Sequence, residues 1–86
     1  MNIDNNSYTE KMNEQTFRIC PYTKRELAKL YFPFTENAES AVANLRNLLK
    51  RNEDLMDELL DAGYNPYNKV FTPRQVRIII HYLGEP

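Results

Sequence analysis

The sequence holds one cysteine, one histidine, two glycines and no tryptophan. Each scarcity excludes something. The lone Cys20 cannot form an intrachain disulfide, so it fits a reducing compartment or a small buried apolar side chain. Gly63 and Gly84 stand alone, so no glycine-rich loop is available to cradle phosphate. His81 has no acid at helical spacing within its own helix to orient it, and zinc needs three or four clustered ligands that the chain does not supply. Glu53, Asp54, Asp57, Glu58 and Asp61 follow helical periodicity rather than the alternating ligands and central glycine of a calcium loop. These absences point away from an enzyme and call for no cofactor and no metal. No apolar run approaches the ~20 residues of a membrane span, and the opening "MNIDNNSYTEKMNEQ" lacks the basic start and apolar core of a signal peptide. The expectation is a cytoplasmic protein with no membrane partner.

What the chain does have is a short pattern used twice. "YTKREL" (22–27) and "FTPRQV" (71–76) both read apolar, Thr, any residue, Arg, Glu or Gln, apolar. Thr23 with Glu26, and Thr72 with Gln75, have the spacing of capping boxes, in which hydroxyl and carboxylate or amide satisfy each other's backbone N–H groups. Tyr22 with Leu27, and Phe71 with Val76, stand at the positions of a hydrophobic staple, and Pro73 occupies the first helical position, where a missing N–H costs nothing. Two helix starts account for the pattern by themselves.

With 86 residues the chain is expected to be a disordered tail over 1–16, rich in Asn, Glu and Gln, followed by one domain over 17–86. Residues 17–20 alternate ahead of Pro21 and predict a short extended segment. The first helix is predicted from Lys24 to about Tyr31, with Leu27, Leu30 and Tyr31 on one face and Ala28 beside them, and Pro33 stops it. After the apolar turn "YFPFT", Thr35 or Asn37 caps a second helix reaching about Arg51, with Ala38, Ala41, Val42, Leu45, Leu48 and Leu49 in one buried stripe. Asn52 caps a third helix over 53–62, with Leu55, Met56, Leu59 and Leu60 inward and the carboxylates outward. "YNPYNKVF" carries the turn signals of a small hairpin or loop, and a last helix runs from Pro73 to Leu83, burying Val76, Ile79, Ile80 and Leu83. The fold class is mostly α: a compact four-helix, winged helix-turn-helix-like domain with a small extended segment or hairpin.

The formal charge of −1 conceals a polarised distribution. From residue 16 onward, outside the acidic block, ten bases face four acids. That balance supplies a basic face, although ordinary solvated surface of both signs is the plainer account. Two short helices joined by a tight apolar turn meet the requirement of a helix-turn-helix, whose second helix enters the major groove. Ser40, Ala43, Asn44 and Asn47 have the chemistry to touch base edges, amides suiting adenine in particular. Arg25, Lys29, Arg46, Lys50, Arg51, Lys69, Arg74 and Arg77 are candidates for phosphate contacts, and Tyr67 for a backbone contact beside Lys69. Glu36 and Glu39, in the first turn of the second helix, favour its dipole and oppose phosphate.

In order along the chain, "YTKRELAKLY", "NLRNLLKR" and "KVFTPRQVRIII" resemble MerR-like and excisionase-like winged helix-turn-helix domains. There a Thr-capped helix, a Leu-Arg reading helix and a wing lead into another Thr-capped helix. The resemblance implies double-stranded DNA as partner, with Leu45-Arg46-Asn47-Leu48 standing where that pattern has Leu-Arg-Arg-Trp. The whole chain, with "LYFP" and the closing "YLGEP", also resembles an uncharacterised family of short gut-bacterial proteins, which carries no mechanism. The leading expectation is a small non-catalytic DNA-binding regulator or accessory factor using residues 36–51 as recognition helix. The alternative is a protein-interaction adaptor of the same fold, meeting its protein partner through the acidic third helix or the "YFPF" turn.

Overall fold

Thr23 and Thr72 each do what the repeated pattern predicts. In the computed structural model, which describes residues 17–86, each hydroxyl accepts from the N–H three residues on, and Glu26 or Gln75 accepts from the threonine N–H in return. The helices they start are α1 (Lys24–Tyr31) and α4 (Pro73–Leu83). Between them lie α2 (Ala38–Arg51), capped by Asn37 rather than Thr35, and α3 (Glu53–Asp61), capped by Asn52. Gly63, following α3, and Gly84, the cap of α4, both take φ 85°, a backbone region that glycine enters without steric penalty. The tail expected over 1–16 lies outside the described residues.

The repeated hexads also meet in space. Strand β1 (Tyr22–Thr23) pairs antiparallel with β2 (Val70–Phe71), in the register Tyr22 with Phe71 and Thr23 with Val70. The first residue of one hexad therefore faces the first residue of the other. Because each strand runs straight into its own capping box, α1 and α4 leave the same two-stranded sheet from opposite ends. One sequence expectation differs here. Residues 17–20 form no strand, and Phe17 stacks on Tyr22 at 5.1 Å while the Tyr22 hydroxyl donates to the Arg18 carbonyl. Of the hairpin or loop expected over "YNPYNKVF", the structure has the loop, which runs into β2, whose partner comes from the start of the domain.

The core joins Leu27 and Ala28 of α1, Ala41, Leu45 and Leu49 of α2, Leu55 and Leu59 of α3, Phe71 of β2, and Val76 and Ile79 of α4. Buried apolar area of this kind supplies the main driving force for folding. Four expected core positions differ: Leu30 and Leu60 are exposed, and Ile80 and Leu83 only flank the core. Conversely Gln75 is buried, 4 % exposed, where the pattern alone assigns it only to capping. Its Nε2 donates to the Ala62 carbonyl at 3.0 Å, tying the start of α4 to the end of α3. The result is a mostly helical, compact domain of four helices and one small sheet.

Candidate nucleic-acid interface

Helical spacing divides the exposed surface of α2 into two neighbouring faces. Glu39, Val42 and Arg46, at i, i+3 and i+7, look across to the start of α1 and to the loop over 65–69, with Lys50 one turn beyond Arg46. Ser40, Asn44, Asn47 and Arg51, at i, i+4, i+7 and i+11, form a separate, exposed stripe. Ala43 lies between the two faces and is half-buried.

The first face borders an open groove of about 650 Å³, lined by Thr23, Lys24, Arg25, Glu39, Val42, Arg46 and residues 66–69. Four cations, Lys24, Arg25, Arg46 and Lys69, thus meet a single carboxylate there. None of the five α3 carboxylates lines the groove. Arg25 Nη1 lies 3.2 Å from Glu39 Oε2. Both side chains are largely exposed, so the pair contributes little to stability. Glu39 is held below the usual carboxylate range first by hydrogen bonding to its own backbone and then by the Arg25 charge. Beneath the groove a smaller cavity of about 60 Å³ is walled by Leu45, Leu49, Tyr64 and Phe71.

Lys24 organises the far wall. Its ammonium donates to the carbonyls of Asn65 (3.1 Å) and Pro66 (3.2 Å) and lies 4.8 Å above the Tyr64 ring, a cation–π arrangement. Its backbone N–H donates to the Lys69 carbonyl at 2.8 Å. Burial pushes the Lys24 ammonium below its ordinary range, and the Arg46 charge adds to the effect. The loop is further closed by Asn65, whose Oδ1 accepts from the Tyr67 N–H and whose carbonyl accepts from the Asn68 N–H. Tyr67 projects from this braced loop, 89 % exposed.

Of the residues singled out in the sequence, Arg25, Arg46, Tyr67 and Lys69 come together at the groove, with Lys50 adjoining and Ser40, Ala43, Asn44, Asn47 and Arg51 around the neighbouring side of α2. Lys29 is engaged elsewhere, since its ammonium donates to the Thr35 carbonyl at 3.0 Å and braces the turn between α1 and α2. Arg74 and Arg77 are exposed on α4 and do not line the groove; they share their stripe with His81, which packs edge-on to Tyr82. The sequence pattern marks Lys24 only as the first residue of a helix. A cation in the first turn opposes the helix dipole, and such a broken local rule is the signal that marks it.

Among the described residues no group of three or more His, Cys, Asp or Glu side chains is placed to hold a metal ion, and no helix is long and apolar enough to cross a membrane. No curated protein and no solved structure matches the chain. From Arg18 through β1, the groove, the buried amide and the last helix, residues 18–86 match one sequence family, described as a domain of unknown function (DUF4248), and the chain belongs to that family.

Proposed function

We propose that this protein is a small, non-catalytic DNA-binding module of winged helix-turn-helix type, a regulator or accessory factor. In this reading α1 and α2 form the helix pair, α2 enters the major groove, and the loop over 65–69 acts as the wing. The observation that carries it is the gathering of Arg25, Arg46, Tyr67 and Lys69 around one groove alongside α2. Clustered cations contact phosphates and fix register, while an adjacent polar stripe reads base edges. Ser40, Asn44 and Asn47 supply such a stripe, and their exposure leaves them free to do so.

Anisotropy of a labelled duplex tests this. Affinity is expected to fall steeply with salt as counterions are released. Reversing Lys50 and Arg51 to Glu, or Arg46 and Lys69 to Glu, is expected to weaken binding and to lower the salt slope by about one for each phosphate contact removed. Helical content should be unchanged, because all four side chains are exposed. Full affinity in both variants would exclude this face.

A second reading, a protein-interaction adaptor that binds no nucleic acid, is favoured by Phe34, which is 98 % exposed in the turn between α1 and α2. A partner held there would tolerate the charge reversals and be lost with Phe34→Ser in a pull-down.

A further inference from the structure

An exposed tyrosine on a protein surface is ordinary, but Tyr67 differs in how its loop is held. Residues 65–69 are tied down by the Lys24 ammonium at Asn65 and Pro66, by the Lys24 N–H at Lys69, and by the two hydrogen bonds to Asn65. The loop backbone is therefore held with the ring presented outward, and little backbone ordering entropy is left to lose when a ligand covers it. The ring stands on the rim of a groove that carries Arg25, Arg46 and Lys69. Asn68, also in the lining, adds an amide able to donate and accept.

A positively charged groove with an aromatic platform is the arrangement that suits unstacked nucleotides, since every base has a π-face and every phosphate a charge. Inside a duplex those faces are covered by neighbouring base pairs, so there the ring can touch only the sugar-phosphate backbone and its face goes unused. The groove volume of about 650 Å³ falls within the ~300–1,000 Å³ typical of small-ligand sites.

We propose that the groove takes an unpaired nucleotide, with its base stacked on Tyr67 and its phosphate among Arg25, Arg46 and Lys69. The inference rests on the nucleic-acid reading above and specifies the strand state that this groove prefers. The nucleotide belongs either to a single strand or to a free mononucleotide, and the two have the same chemistry at the groove.

The test uses the full chain with a short fluorescein-labelled oligothymidylate, a duplex of equal length, and unlabelled thymidine monophosphate as competitor. The single strand is expected to bind, and Tyr67→Ala to weaken it roughly tenfold or more while Tyr67→Phe keeps the affinity. Duplex affinity should change by much less than single-strand affinity across the three proteins, because only an unpaired base offers its face to the ring. Displacement by the mononucleotide at concentrations similar to those of the oligonucleotide identifies the free nucleotide as the ligand, whereas its failure to compete identifies the strand; both support the proposal when the Tyr67→Ala loss is present. Equal single-strand affinity in Tyr67→Ala and the parent overturns it, and if duplex binding persists the DNA-binding reading survives alone. Single-strand binding that needs Tyr67, with no duplex binding, upholds this inference and removes the duplex reading. Absence of binding to every probe overturns both.

Discussion

Glu26 and Gln75 occupy the same position in the two hexads, yet only one can be exchanged for the other freely. Glu26 is exposed and needs only to accept from the Thr23 N–H. Gln75 accepts from the Thr72 N–H through Oε1 and donates through Nε2 to the Ala62 carbonyl, both from a buried site. A carboxylate can keep the first bond but has no proton for the second. Gln75→Glu is therefore expected to cost about 1–3 kcal/mol, read as a lower urea midpoint with an unchanged slope. Glu26→Gln should lie within about 0.5 kcal/mol of the parent. The capping role of Gln75 was legible from spacing alone. Its burial was not, because that depends on where α3 ends, and no local pattern names the carbonyl that an amide will find.

Helix α3 shows the same limit for a whole element. Its apolar residues come in adjacent pairs, Leu55 with Met56 and Leu59 with Leu60, and a helix turns ~100° between neighbours, so one face cannot take all four. The structure buries Leu55 and Leu59 completely and leaves Leu60 55 % exposed. Leu59→Ala is expected to cost about 2–5 kcal/mol by cavity formation. Leu60→Gln should stay within about 0.5 kcal/mol, and thermal melts of the two variants make the comparison. Helix positions and caps were legible because capping boxes and three-four spacing are local. The strand partner was not, because Val70 and Phe71 alternate equally well whichever segment they pair with. The candidate site divides in the same way: its cations and Tyr67 were visible as residues, whereas their grouping depends on Lys24 bridging to Asn65, Pro66 and Lys69.

Across the molecule, two tyrosine hydroxyls fasten helices to one another. Tyr31, at the end of α1, donates to the Gly84 carbonyl, and Tyr82 of α4 donates to the Glu58 carboxylate of α3. Tyr31 is pushed up to about 12, first by burial and then by Glu85, and Tyr82 is pushed up to about 12, first by its hydrogen bond to Glu58 and then by burial. In the unfolded chain both ionise near the ordinary value of ~10. The folded state thus holds protons that the unfolded state has released, and stability, fully present below pH ~10, falls as pH rises toward about 12. Ultraviolet titration should show a late tyrosinate phase coinciding with a falling melting temperature, and Tyr82→Phe should reduce that phase.

The pairing of Tyr22–Thr23 with Val70–Phe71 also governs the order of events during synthesis. Helices α1 and α2 are neighbours along the chain and need no distant segment, whereas the sheet must close a loop that encloses three helices, a slow, entropically costly step. Until Phe71 has left the ribosome there is no β2 beside β1 to anchor the end of the loop over 65–69. A nascent chain therefore holds its cations without the groove that gathers them until β2 has paired with β1.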